Sequence, residues 1–467
     1  MTIPRPNTAN RLALGLMTAR GIGYAEAVDT LERLTLRLVC DTEISRSPAL
    51  QAALLTAVNC GRRAFLGGVR VEMPEDVPLL LPWPGRTTLN DVVTDLQDYI
   101  SAGSDNASQT IFFGFHPEEE VPHAVVVRAT GWRGGIEPVG EKGLFQRHDG
   151  NDFALGGIFA AGLAVHRGFL RATAISIFAC DERAGISFWD PNADWLSGGS
   201  EGPPLRALPQ GLWMLGLGHL GQAFLWTLGL LPYRNTAECE LMLQDFDSIE
   251  QPNVGSGLLS SDADIGSYKT RLGSRWLESR GFRTKVCERP FDETTIRRAE
   301  EPAIALCGFD RPEPRRLLEG ANFLRVIECG LGGSINDFDL IHVHNFPGSR
   351  TAASLWENSA KAVTAPNAKL VDALSAPGEV CGALAIETAG KSVSTSFIGA
   401  MAAAAVFGEL LRAFNKGSRY DETYLSPRNL ADCHFSSSSR RYTSTEIAAA
   451  GFCEVAPQRS GDPDAAS

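Results

Sequence analysis

The chain has no Cys-x-x-Cys pair, no run of basic residues, no apolar stretch long enough for a membrane span and no apolar signal core at its N-terminus. Each absence narrows the function. Ten cysteines scattered over 467 residues, with no secretion signal, argue against a disulfide framework and for a reducing compartment, so a cytoplasmic location is expected. The longest apolar helical stretch, 397–407, is alanine-rich and shorter than a bilayer requires. The 43 basic and 55 acidic residues give a formal charge of −12, with Lys and Arg spread along the chain, which argues against a general affinity for nucleic acid or anionic membranes.

What is present concentrates between residues 211 and 310. The stretch from Gly211 through Gly216, Gly218 and Gly221 to Phe224 reads as a buried strand, a glycine-rich turn and a helix start. Gly216 and Gly218 permit a tight turn and close backbone approach to a phosphate, Gly221 lets the helix pack on the strand, and the bare helix N-terminus faces an anion. Such a fingerprint alone serves a dinucleotide oxidoreductase equally well. The next strand ends in Asp245-Phe246-Asp247, with Asp245 24 residues beyond Gly221, where a carboxylate accepts hydrogen bonds from ribose hydroxyls. Both nucleotide classes carry a ribose, so discrimination falls to Asn253, Lys269 and Asp310. A lysine one turn into a helix after Gly266 is a point charge able to reach triphosphate oxygens. Asp310, at the end of the apolar strand 302–308, is placed where a carboxylate holds Mg²⁺ together with water and phosphates. Taken singly, Lys269 reads equally as a solvated helix residue, and Asp310 as a cap for a helix over 312–319.

Taken together, Asp-x-Asp, an asparagine eight residues after the first Asp, a lysine sixteen further on and a strand-end Asp some forty beyond that resemble the ThiF-like adenylyltransferase superfamily. The likeness is greatest to its ubiquitin-activating branch. The superfamily also includes adenylyltransferases of the thiamine and molybdopterin pathways. The resemblance implies a Rossmann-like doubly wound ATP-binding domain that adenylates the C-terminal carboxylate of a ubiquitin-like protein. It implies ribose binding by Asp245, phosphate contacts from Asn253 and Lys269, and Mg²⁺ held by Asp310. One departure is plain: the family shows an arginine three residues after the asparagine, and this chain has Ser256. Arg271 and the Arg62–Arg63 pair are the candidates to replace it.

Some members of the superfamily carry a four-cysteine zinc site. Its residues are absent here, so no zinc is expected. Cys60, Cys180, Cys239, Cys287, Cys307 and Cys329 fall within or beside apolar helix and strand patterns and read mostly as small core residues. Cys381 lies in a loop-like segment, 376–384, before a long helix over 393–414. In the ubiquitin-activating branch, a cysteine placed after the last core strands takes the acyl group as a thioester. The resemblance therefore makes Cys381 the first candidate acceptor, ahead of Cys329 and Cys433. Thiolate is the nucleophile, so that position requires access and nearby positive charge.

A Gly/Ser/Pro-rich stretch divides the chain into 1–195, a linker at 196–210, an adenylation domain over 211–415 with a cysteine loop near 376–392, and a tail over 416–467 with little apolar periodicity. In the second half, strands near 211–217, 239–245, 284–288, 302–308 and 323–329 alternate with helices, the pattern of a doubly wound sheet. A further strand set, 339–344, carries His342 and His344 on one face, either a metal pair or partly exposed sheet histidines. The first half reads as helices near 24–39, 47–66, 89–100 and 153–173 with strands near 109–115, 123–130 and 185–189. No glycine fingerprint or acidic strand end is read there. By the resemblance it is an inactive adenylation domain. The alternative is an unrelated α/β recognition domain.

An inactive adenylation half supplies internally the pairing that simpler relatives achieve as homodimers, and a homodimer of the whole chain stays open. The partners implied are a ubiquitin-like protein and a conjugating enzyme. Three other functions remain in play: adenylation of a sulfur-carrier protein without a thioester, an NAD(P)-dependent oxidoreductase, and a scaffold whose nucleotide site has decayed.

Overall fold

The computed structural model describes residues 11–96, 107–118, 121–140, 144–146, 151–332, 337–357, 393–438, 440 and 442–457. Cys381 lies outside them.

The first half opens with α1 (Arg11–Arg20) and α2 (Tyr24–Arg33), then runs β1 (Thr35–Cys40), α3 (Pro48–Ala64), β2 (Gly68–Glu72), α4 (Leu89–Leu96), β3 (Gln109–Phe113), β4 (Val125–Thr130), β5 (Arg133–Pro138), α5 (Ala154–Ala172) and β6 (Ala184–Ser187). Its sheet has the order β2-β1-β3-β4-β5-β6, parallel from β2 to β4 and antiparallel from β4 to β6. The helix expected over 24–39 is therefore a helix followed by a strand. The leucines at 31, 34, 36 and 38 suit a helical stripe, but from Thr35 onward alternate residues are buried, which is strand periodicity. Glu72 ends β2, an acidic strand end that the sequence reading passed over, and its carboxylate is taken by Arg37 at 2.7 Å and Arg70 at 2.9 Å.

The second half runs β7 (Ala207–Pro209), β8 (Gly211–Leu215), α6 (His219–Leu230), β9 (Glu240–Gln244), α7 (Gln251–Val254), α8 (Lys269–Glu278), β10 (Arg283–Cys287), β11 (Ile304–Cys307), α9 (Pro312–Arg315), β12 (Arg325–Leu331), β13 (Ile341–Phe346), α10 (Ala352–Leu355), α11 (Ser396–Phe414), β14 (Tyr420–Leu425), β15 (His434–Ser437), α12 (Ser444–Ala450) and β16 (Phe452–Glu454). Its sheet order is β10-β9-β8-β11-β12-β13-β14-β15. Strands β10 to β12 are parallel and β12 to β15 antiparallel. This is a Rossmann-like doubly wound sheet, and the strand order reverses between β8 and β11, so the crevice beyond their carboxyl ends is where a ligand sits in such folds. The tail is not structureless: β14 and β15 extend the sheet, and β16 pairs with β7. Edge pairing orders these short segments even though their own apolar pattern is weak.

The two sheets repeat one plan. In each, a first strand (β1, β8) is flanked by the second (β2, β9) and by the third of the plan (β3, β11). A parallel strand (β4, β12) follows, and then an antiparallel pair (β5 and β6, β13 and β14). Helix α5 lies between β5 and β6 as α11 lies between β13 and β14, and both are 19 residues long. Both are buried along almost their whole length: α5 packs on α3 and α11, and α11 on α5 and α6, with the rings of His166 and Phe169 5.6 and 5.7 Å from that of Phe397. Helix α11 corrects the expectation that no stretch reaches membrane-span length. Among the described residues it is one helix long and apolar enough, and all of it is buried, as suits the core helix of a two-sheet molecule. Trp226 on α6 donates to Thr56 Oγ1 on α3 at 3.0 Å, and one apolar core runs through both halves.

Candidate functional site

Strand β8 delivers the chain to the glycine turn. Gly216 has φ +81°, a conformation that side chains rarely adopt. Its N–H donates to Gln244 O of β9 at 3.0 Å, and the N–H of Gly308, just past β11, donates to Leu215 O at 2.9 Å. A Cβ on Gly221 would stand 2.1 Å from Gly216 O, so the first turn of α6 can press onto the glycine turn only without one. A Cβ on Gly218 would meet nothing within 4 Å, so the middle of the turn faces open space. Gly218 precedes α6 and no side chain caps that helix start.

Asp245, one residue beyond β9, folds back onto this turn. Its Oδ2 accepts from Leu217 N at 2.6 Å and its Oδ1 from Asp247 N at 2.8 Å. Burial pushes its carboxyl up, and the Lys269 charge opposes that shift. Lys269 is the first residue of α8, not one turn into it as expected from Gly266. Its Nζ lies 2.9 Å from Asp247 Oδ2, and its own N–H donates to Asp247 O at 3.0 Å. The lysine side chain is 11 % exposed and that of Asp247 52 % exposed. Asn253, on the one-turn helix α7, uses Oδ1 to accept from Glu250 N at 2.8 Å. The segments carrying Asn253 and Lys269 are zipped together by Ile249 N to Ser267 O and by Gly266 N to Ile249 O.

Asp310 is exposed, two residues beyond Gly308. Its loop is held from behind: Arg315 Nε donates to Phe309 O at 2.8 Å and lies 3.1 Å from Glu328 Oε1, whose fully buried carboxylate also meets His344 Nδ1 at 2.8 Å. Arg315 and Glu328 were missed in the sequence, because only the fold brings α9, β12 and β13 together. The rings of His342 and His344 stack 6.5 Å apart. Among the described residues no group of three or more His, Cys, Asp or Glu could hold a metal.

The arginine replacements sort unequally. Arg271 is taken by Glu288 at 2.6 Å on the surface. Arg62 donates to Asn59 Oδ1 and Leu96 O at 3.2 and 3.1 Å. Arg63 crosses to the loop that follows Asn253 and donates to Ser260 O at 3.1 Å. Arg11, on α1, was not considered in the sequence. It donates to Ser394 Oγ at 2.5 Å, and its charge helps hold down the imidazole of His219 in the glycine turn. Burial pushes that imidazole down to about 4, and since Thr395 O accepts from Nε2 at 2.8 Å, the neutral ring carries its proton there.

Of the acceptor cysteines, Cys381 lies outside the described residues. Cys329 is completely buried in β12, which pushes its thiol well up, and burial pushes Cys433 up to about 11. Neither presents a thiolate at neutral pH.

The family model described as the BilD C-terminal domain matches residues 208–417, and that of the BilD N-terminal domain matches 35–188. The chain is 35 % identical over 439 residues to the bacterial E1-like protein BilD of Collimonas sp. (strain OK412), covering 92 % of this chain and 93 % of that one. Among solved structures, Escherichia coli MccB shares 17 % identity over 68 % of this chain and 92 % of its own, with a TM-score of 0.35. PaaA shares 12 % over 49 % and 72 %, with a TM-score of 0.32. Both likenesses are too loose to locate a residue. The 35 % identity over more than nine-tenths of both chains places this chain in the class of bacterial E1-like proteins. Within that class, the chain belongs to the BilD family.

Proposed function

We propose that this protein uses Mg-ATP to adenylate the C-terminal carboxylate of a ubiquitin-like protein, takes the acyl group onto a cysteine as a thioester and passes it to a conjugating enzyme. The observation that carries the reading is the convergence of Asp245 and the Lys269–Asp247 pair on the glycine turn, at the carboxyl ends of β8 and β9. The E1-like description of the BilD relative supports it.

In this reading Asp245 keeps lone pairs beyond the two backbone bonds it accepts, and these take ribose hydroxyls. Gly218 leaves room for phosphate against the uncapped start of α6. Lys269 and Asn253 contact the phosphates, and Asp310 holds Mg²⁺ carried by them. A carboxylate oxygen attacks the α-phosphorus, the bond to the β-phosphate bridging oxygen breaks, and pyrophosphate leaves with that electron pair. Both reactants are anionic, so the chain's task is charge neutralisation and in-line positioning. Opposite unit charges about 4 Å apart attract by about 4 kcal/mol at an effective dielectric of 20, so one lysine lowers the barrier substantially. Asp247 holds Lys269 oriented until the triphosphate takes over as its partner.

The thioester is assigned to Cys381. A nicotinamide oxidoreductase would give Lys269 and Asp310 no role. Incubation with Mg-ATP and candidate ubiquitin-like proteins, read by ATP–pyrophosphate exchange and intact mass, is expected to show carrier-dependent exchange. It is also expected to show a reductant-sensitive adduct that is lost in Cys381→Ser. Exchange without any such adduct would indicate adenylation alone, as for a sulfur carrier. An adduct that persists in Cys381→Ser would move the acceptor to another cysteine. Absence of both would leave the scaffold reading.

A further inference from the structure

The loop from Asn253 to Ser260 is held from two sides. From α6, Gln222 Oε1 accepts from Leu259 N, Ser260 N and Ser260 Oγ, each at 3.0 Å. A Cβ on Gly257 would stand 2.3 Å from that same oxygen, so the loop is drawn tightly onto the glutamine. From the first half, Asn59 Nδ2 on α3 donates to Leu258 O at 2.9 Å, and Arg63 Nη2 donates to Ser260 O at 3.1 Å. Ser260 Oγ also lies 3.0 Å from Asn253 O, so the residue that Arg63 grips touches the asparagine's own backbone.

Arg63 is an unusual tether. It is 6 % exposed, its Nε has no hydrogen-bond partner among the described residues, and its remaining contacts there are to Asn59 O at 2.7 Å and to Asn59 Oδ1. Among the described residues no carboxylate lies within ion-pair distance of it and only carbonyl and amide oxygens hold the guanidinium, and burial with the neighbouring Arg62 charge pushes its pKa well down. Burying a cation without a counter-ion costs stability, and packing alone would be served better by an apolar side chain.

We infer that Arg63, acting with Asn59 from the half that lacks a glycine turn, is a positioning residue for Asn253 in the other half, so that the nucleotide site is complete only when both halves are present. The inference rests on the proposed role of Asn253. Arg63 does not touch the nucleotide. It fixes the height and tilt of the Asn253–Ser260 loop over α6.

The test is a double-mutant cycle on the full chain, with ATP affinity measured by calorimetry in the presence of Mg²⁺ and folding checked by thermal melting. Lys at 63 keeps the charge but cannot span Asn59 and Ser260 together. Arg63→Lys is expected to weaken ATP about tenfold, Asn253→Ala about tenfold, and the double variant no more than Asn253→Ala alone. Ser260→Ala, a milder cut in the same chain of contacts, is expected to weaken ATP a fewfold, again only while Asn253 is present, and it carries the test if Arg63→Lys does not fold. Additive losses, or unchanged affinity in folded single variants while the wild type binds ATP, would overturn the inference and leave the proposed function standing. A wild type that binds no ATP would overturn both.

Discussion

The two halves share a strand plan and differ at the point where a nucleotide would bind. In the second half the first strand runs into Gly216, Leu217 and Gly218, and α6 starts without a side-chain cap. In the first half the same place is a 3-10 turn, Thr42–Arg46, and the start of α3 is closed by the chain's own acid. Asp152 accepts from Ser47 Oγ at 2.5 Å and from Ala49 N at 3.3 Å, filling with a carboxylate the position that favours a phosphate. The third strand of the plan ends alike in both, as Gly308-Phe309-Asp310 and as Gly114-Phe115-His116. Where one half exposes a carboxylate, the other has an imidazole beside the buried Glu137, with Arg128 and Arg183. A cavity of about 390 Å³ lies instead at the start of α3, lined by Pro48, Asp152 and Phe153 from the first half and by Leu230, Tyr233 and Val455 from the second. One copy of the plan leaves the uncapped turn of the proposed site open, and in the other the corresponding helix start is closed by Ser47 and Asp152.

Substitutions in each half put this contrast to the test. The largest effect is expected from Lys269→Ala and Asp310→Ala, each lowering carrier-dependent ATP–pyrophosphate exchange by about 10² to 10³ with the melting temperature little changed. His116→Ala in the first half should leave exchange near wild type, and equal losses in both halves would erase the distinction. Next come two glycines under similar pressure. Ala at Gly221 would put a Cβ 2.1 Å from Gly216 O, and Ala at Gly156 would put one 2.0 Å from Arg133 O. Both should destabilise the fold by about 1–3 kcal/mol in denaturant titrations, and only Gly221→Ala should also cost ATP affinity in the folded fraction.

A smaller change is expected from Asp152→Asn. The loss of a charged cap should cost about 1 kcal/mol of stability, with ATP binding unchanged at one nucleotide per chain by calorimetry. Two nucleotides per chain in the wild type would refute the reading of the first half as support. The smallest concerns pH. The His219 imidazole falls from 6.5 to about 4 on folding, so between these values the unfolded chain binds the extra proton. Its contribution to stability is complete above about 6.5 and fades as pH falls toward about 4. Thermal melts across that window should lose part of their pH slope in His219→Gln.

Much of the second half was legible in the sequence because its signals are local. The glycine turn, the acid after β9 and the apolar strands each occupy a few consecutive residues, and the boundaries of α5 and α11 follow from long apolar runs. What was not legible depends on distant pairing. Strand β1 was hidden under a leucine pattern that continues from α2, and β2 and β5 are short and glycine-bearing. The tail strands take their order from β13 and β7. The supports of the site, Arg63 and Gln222 beneath Asn253 and Arg315 with Glu328 behind Asp310, join residues that only tertiary structure brings together.

Helix α5 packs most extensively on α3 and on β4 and β5 of its own half, and one further side is covered by α11, more than two hundred residues downstream. During synthesis the ribosome therefore releases α5 with one apolar side still lacking its final cover. That side stays uncovered until translation has passed Phe414, although the rest of the first half can already pack.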